Sequence, residues 1–116
     1  MKIFIYDLKI IMNIGIREDE RANPQEIIIN LECEVDFSKA MESDNIHDTL
    51  NYKDILRVIQ NYCYNNSPKL LEKLGGDLII EIRKHFPTIK KIKIQIIKPA
   101  AIPSSKGAGV EISREF

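Results

Sequence analysis

The chain is poor in the features that most directly announce a function. It has only two cysteines in 116 residues, Cys33 and Cys63. Two are too few for a disulfide framework, and no metal-type spacing surrounds them. They are expected to be buried thiols in a reducing compartment. Neither sign of charge prevails: 17 Lys and Arg residues stand against 17 Asp and Glu. That balance removes any general electrostatic argument for nucleic acid or an anionic membrane as partner. Long apolar runs are missing too. The opening stretch MKIFIYDLKII is interrupted by Asp7 and Lys9, so it makes neither a leader peptide nor a membrane span, and a cytoplasmic protein is expected. There are no repeats, low-complexity tracts or linkers, so residues 1–116 are read as one domain with a modest core. No GxxxxGK phosphate loop occurs, and SSKGAG at 104–109 is too weak a substitute. Asn13, Ser104 and Ser105 have no partner base that would support nucleophilic catalysis. His47 and His85 stand alone and read as ordinary surface or core residues.

What the chain does have is a clear change of hydrophobic period. The first run alternates on even positions, Phe4, Tyr6, Leu8, Ile10, Met12 and Ile14, which predicts a strand burying that face. Gly15, a charge cluster and Pro24 then mark a connecting loop. From Gln25 the alternation falls on odd positions, Ile27, Ile29, Leu31, Cys33, Val35 and Phe37, with Glu26, Asn30, Glu32, Glu34 and Asp36 opposite. The two strands read as a long hairpin. A helical stripe follows at Ile55, Leu56, Val58, Ile59, Tyr62 and Cys63, with Asn51 as its cap. The next helix is expected to be capped by Ser67, to start at Pro68, and to bury Leu70, Leu71, Leu74, Leu78, Ile79, Ile82 and Phe86. Gly75 and Gly76 inside it cost about 1 kcal/mol each relative to alanine, so a close packing contact is expected there. Ile92, Ile94 and Ile96 alternate against Lys91, Lys93 and Gln95, and AGVEISREF is a last, shorter strand. The order ββααββ predicts an α+β fold, a four-stranded antiparallel sheet with two helices on one face. The acidic face of the second strand should pair with the basic face of the third.

This topology brings three distant segments to one end of the sheet: the charged loop REDER, the end of the third strand at Lys98, and the start of the second helix at LLEK. Glu20, Lys98 and Glu72 therefore form a candidate site. Lys98 is in phase with Ile92, Ile94 and Ile96, so it points to the apolar face, unlike Lys91 and Lys93. Pro99 stiffens the turn that follows it.

The stretches IGIREDER, SDNIHDTLNY, LLEKL and KPAAIPSSKGAGVEI, spread in order over nearly the whole chain, together resemble dihydroneopterin aldolase, a family of the folate pathway. The resemblance implies the tunnelling fold, with subunits joining into a ring whose strands line a barrel, and a homo-oligomer of one ring or two stacked rings forming an octamer. It implies catalytic roles for Lys98, Tyr52 and Glu20. It also implies a pterin site formed by Glu20, Tyr52, Leu71 and Glu72, in which Glu72 anchors the ring. The implied reaction is retro-aldol cleavage of 7,8-dihydroneopterin, in which the pterin imine takes up the electrons, so neither a metal nor another cofactor is called for. Gly75 and Gly76 depart from the family's pattern, which bears on helix stability and not on chemistry. The sister family, dihydroneopterin triphosphate epimerase, fits IGIREDE and DTLNY about equally well, whereas KPAAIP fits the aldolase better. A non-catalytic pterin-binding scaffold is the remaining alternative.

Overall fold

Residues 1–116 are described by a computed structural model. Four strands, β1 (Lys2–Met12), β2 (Gln25–Glu34), β3 (Lys91–Lys98) and β4 (Ala108–Glu115), form one antiparallel sheet in the order β1-β2-β3-β4. Two long helices, α3 (Tyr52–Asn65) and α4 (Leu71–His85), cross over between β2 and β3. α3 packs on β1, and α4 packs on β3 and β4. Two short helices are additions to the expected pattern: α1 (Glu18–Ala22) lies within the first loop, and α2 (Ser38–Ser43) follows β2. No helix is long and apolar enough to cross a membrane.

The sheet's inner face behaves largely as its alternation predicts. Ile27, Ile29, Leu31 and Cys33 of β2 are buried, as are Val35 just after it and Ile92, Ile94 and Ile96 of β3. Every buried residue except Gly15 and Gly75 is an apolar member of this core, and none is charged or polar. The chemistry must therefore sit at an edge or an end.

β1 departs from the expected phase. Phe4 and Tyr6 are about half exposed, 55% and 50%, while Ile3 and Ile5 pack against the core. The register shifts between Ile5 and Leu8, where Asp7 adopts a positive φ of 55°. One extra residue in a β-bulge swaps the faces of everything before it. Asn30 on β2 holds the bulge by accepting the Asp7 backbone N–H at 2.7 Å. Phe4 and Tyr6 instead stack on each other on the open face, ring centroids 4.5 Å apart.

Of the two long helices, one starts where the sequence predicts and the other does not. Asn51 caps α3 as expected, accepting from the Lys53 N–H at 3.0 Å. Ser67 and Pro68 do not begin α4, which starts at Leu71 with Leu70 at the cap position and no side-chain cap. Leu70 is exposed, not buried. Within α4 the expected close contact is real at one glycine only. A Cβ on Gly75 would lie 2.8 Å from Ile112 Cδ1 and 3.4 Å from Ile96 Cδ1, whereas one on Gly76 would meet nothing within 4 Å.

β2 and β3 are neighbours, with Glu32 opposite Lys93 and Glu34 opposite Lys91. The close ion pairs nevertheless run to the outer strands: Lys2–Glu32 at 3.0 Å, Lys93–Glu111 at 3.7 Å and Lys91–Glu115 at 3.9 Å. Tyr6 also donates its hydroxyl to Glu32.

Candidate active site

One end of the sheet gathers Met12, Gln25, Lys98 and Ala108, because Met12 pairs with Gln25 and Lys98 with Ala108. The loop between β1 and β2 closes over this end. It is held by side chains that satisfy its backbone carbonyls, which a polar loop needs when part of it is buried. Asn13 donates to the Arg21 carbonyl at 2.6 Å, Arg21 to the Gly15 carbonyl at 3.3 Å, and Gln25 to the Ile14 carbonyl at 2.7 Å. The fixed loop carries α1, and α1 carries Glu20.

Glu20 and Lys98 meet there. Lys98 Nζ donates to Glu20 Oε2 at 2.9 Å, a contact spanning 78 positions of sequence. The two side chains are only 17% and 22% exposed. Lys98 ends β3 on the side of Ile96, so its stem runs along the apolar face while its ammonium reaches the loop. The Lys98 hydrogen bond, then the Arg17 backbone N–H, hold the Glu20 carboxyl below its ordinary range, with partial burial opposing them. Glu20 is therefore a carboxylate at neutral pH and an acceptor in any chemistry here.

Glu72 and Leu71 lie in the first turn of α4. Contact of Gly75, one turn on, with Ile96 places that turn at the Lys98 end of the sheet. Glu72 is exposed and joins no ion pair, so its carboxylate faces outward at the rim. Tyr52 is not part of this gathering. It begins α3, is 58% exposed, and lies ten residues before Tyr62, whose hydroxyl bonds to Asp77 in the first half of α4. At about 1.5 Å per residue that is roughly 15 Å along the helix, away from the Lys98 end.

The structure thus joins Glu20 to Lys98 and sets Glu72 near the same end, as the sequence suggests, and adds a loop scaffolding that the sequence does not reveal: Asn13, Gly15, Arg17, Arg21 and Gln25. The only available signal was a glycine opening a short, strongly polar loop.

This ββααββ subunit is the tunnelling fold, here carrying a paired carboxylate and ammonium at one end of its sheet. The chain belongs to the dihydroneopterin aldolase family, whose sequence description (FolB: dihydroneopterin aldolase) matches residues 3–113. It is 35% identical over 113 residues to the folic acid synthesis protein FOL1 of Dictyostelium discoideum, covering 97% of this chain but only 17% of that much longer protein. It is 39% identical over 83 residues to the dihydroneopterin triphosphate 2′-epimerase of Escherichia coli K12, covering 72% of this chain and 69% of the relative. Among solved structures, E. coli dihydroneopterin aldolase in complex with neopterin superimposes with a TM-score of 0.94 at 26% identity, over 98% of both chains.

Proposed function

We propose that this chain is a 7,8-dihydroneopterin aldolase, cleaving the substrate's side chain to 6-hydroxymethyl-7,8-dihydropterin and glycolaldehyde. The observation that carries the reading is the Lys98–Glu20 pair at 2.9 Å, shielded at the sheet end, in a chain of this family. Loss of the 2′-hydroxyl proton turns that oxygen into the carbonyl of glycolaldehyde as the C1′–C2′ bond breaks. The bonding pair moves into the C6=N5 imine of the pterin, and C1′ then takes a proton. Because the substrate holds its own electron sink, the protein has to supply only proton transfer and orientation. No cofactor is required.

In this reading Lys98 handles the proton at the 2′-oxygen, and Glu20, an acceptor only, fixes the ammonium's direction. Such positioned acid–base groups contribute about 10²–10⁴-fold. Glu72 anchors the pterin through its amino and ring N–H groups, since a carboxylate offers two acceptor oxygens to adjacent donors, and Leu71 helps through its backbone. Tyr52 returns the proton to C1′.

Tyr52 must then come from another subunit. The outer edges of β1 and β4 have no partner in this chain, and long unpaired edges are open to pairing with a second copy. A ring of copies joined edge to edge would bring one subunit's Tyr52 to another's Lys98. The partners are accordingly a pterin and further copies of this chain, with no nucleic acid and no membrane.

Incubation with 7,8-dihydroneopterin tests the reading. Release of glycolaldehyde in step with 6-hydroxymethyl-7,8-dihydropterin is the expected result, and unchanged substrate overturns it. The similarity to an epimerase motivates a second activity. Retro-aldol cleavage followed by re-addition to the other face inverts C2′, so the monapterin isomer would accumulate.

A further inference from the structure

We propose that Gly15 is a positioning residue: its missing side chain leaves the space in which the Glu20 carboxyl reaches Lys98. The proposal rests on the reading that Glu20 and Lys98 act together in proton transfer. Gly15 is buried and has a φ of +142°, a region essentially closed to residues with a Cβ. A Cβ built there would lie 2.6 Å from Glu20 Cβ, 2.9 Å from its Cδ and 3.0 Å from its Oε2. Oε2 is the oxygen that Lys98 holds at 2.9 Å. The glycine and the ammonium thus bound the same carboxylate oxygen from two sides.

The carboxylate cannot yield cheaply. The closest approach is to Glu20 Cβ, which is tied to the backbone of α1, not to a flexible tip. That helix is in turn held to the loop by Asn13, which donates to the Arg21 carbonyl, by Gln25, which donates to the Glu20 carbonyl at 3.4 Å, and by Arg21, which donates to the carbonyl of Gly15 itself. Any side chain at position 15 must therefore push α1 and its glutamate outward. A competing cation waits there: Arg17 Nε lies 3.5 Å from Glu20 Oε1, and Arg17 is largely exposed. A displaced carboxylate would remain paired, but with Arg17 in place of Lys98.

The test uses the full chain and reads the contact apart from the activity. The Glu20 carboxyl is titrated by carbon-13 NMR with and without Lys98→Ala. In the wild type, removing Lys98 should raise the Glu20 midpoint. In the Gly15→Ala background the same removal should leave it unmoved. An equal rise in both backgrounds overturns the proposal. In turnover of 7,8-dihydroneopterin, Gly15→Ala should lower kcat about 10- to 100-fold, the scale of an ångström-sized misplacement, and change KM less than about 3-fold. Added to Glu20→Ala, it should cost less than about 3-fold more, because groups acting as a unit are not additive. A full additional loss means that Gly15 acts elsewhere. Should Gly15→Ala fail to fold, adding Glu20→Gly removes the obstructing Cβ together with the carboxyl and should restore folded protein. A double variant that stays unfolded shows a backbone role alone and overturns the proposal. Absence of wild-type turnover would defeat the aldolase reading while leaving the titration to decide on Gly15.

Discussion

Adjacent glycines in α4 allow packing to be separated from helix propensity. Alanine is better than glycine in a helix interior by about 1 kcal/mol, and the gain is the same at both positions. Gly76 has open space where a Cβ would go, so Gly76→Ala should stabilise by about that amount. At Gly75 the new methyl would sit 2.8 Å from Ile112 Cδ1, with Ile96 Cδ1 behind it at 3.4 Å. Ile112 is only half buried on β4 and can turn partly away, but Ile96 is fully buried. Overpacking of this kind costs about 1–3 kcal/mol, which cancels or exceeds the propensity gain. Since propensity is common to both variants, the difference between them is the overpacking itself. A chain of 116 residues has an unfolding entropy of about 0.24 kcal/mol/K, so 1 kcal/mol corresponds to about 4 °C in Tm. Gly76→Ala should therefore melt about 4 °C above the wild type, and Gly75→Ala about 4–12 °C below Gly76→Ala. The assay is calorimetric or circular-dichroism melting at one fixed protein concentration, because association makes Tm concentration-dependent. Two variants that rise together would refute the reasoning, since they would show that α4 does not approach β3 and β4 closely at Gly75.

Four further outcomes are expected. Lys98→Ala should lose about 10²–10⁴ in turnover while keeping pterin affinity, checked by steady-state kinetics beside ligand titration; near-normal turnover would remove Lys98 from the chemistry. Glu72→Gln replaces an acceptor-only group with an amide and gives up charge-assisted bonds worth about 1.5–3 kcal/mol, so a titrated pterin should bind roughly 10- to 100-fold more weakly. Mixing inactive Tyr52→Ala and Lys98→Ala chains after partial dissociation should restore activity if each site draws the two residues from different subunits, and restore nothing if one chain supplies both. Glu20 has a lowered folded value, so its contribution to stability is present above the ordinary carboxyl value of 4.5 and fades as pH falls through the folded value; the Tm difference between wild type and Glu20→Gln should therefore shrink below about pH 4.5.

The parts of the fold legible in the sequence are those where burial alone decides. β2 and β3 each keep one phase from end to end, so a period of two is sufficient to assign their faces. In β1 the same reasoning gave Phe4 and Tyr6 the wrong side, because a bulge adds one residue without changing the apolar content. The cause is a side chain on the neighbouring strand, Asn30, satisfying the Asp7 N–H, and that partner is 23 positions away. The start of α4 failed for a related reason. Ser67 and Pro68 are good local start signals, but a local cap is worth only about 1 kcal/mol. The register is set by Leu74, Leu78 and Ile82, all fully buried, and tertiary packing of an apolar face outweighs a cap.

The candidate site divides along the same line. Lys98 was legible because its parity puts an ammonium on an apolar face, an arrangement that needs an explanation wherever it occurs. Glu20 is legible through topology and the family resemblance, since nothing in the local chemistry of its loop distinguishes it from Glu18 or Asp19. Its distinction is geometric: it is the acid in α1 that lies over a residue without a side chain and within reach of the strand end. The sequence shows the glycine and the glutamate five positions apart, but their meeting depends on the fixed turn and short helix between them. Tyr52 shows the limit from the other direction. It begins α3, about 15 Å along that helix from Tyr62, and lies on the side away from the Lys98 end. In the proposed reading, its place in the chemistry depends on the outer edges of β1 and β4, which have no partner in this chain, and so on how copies of the chain meet.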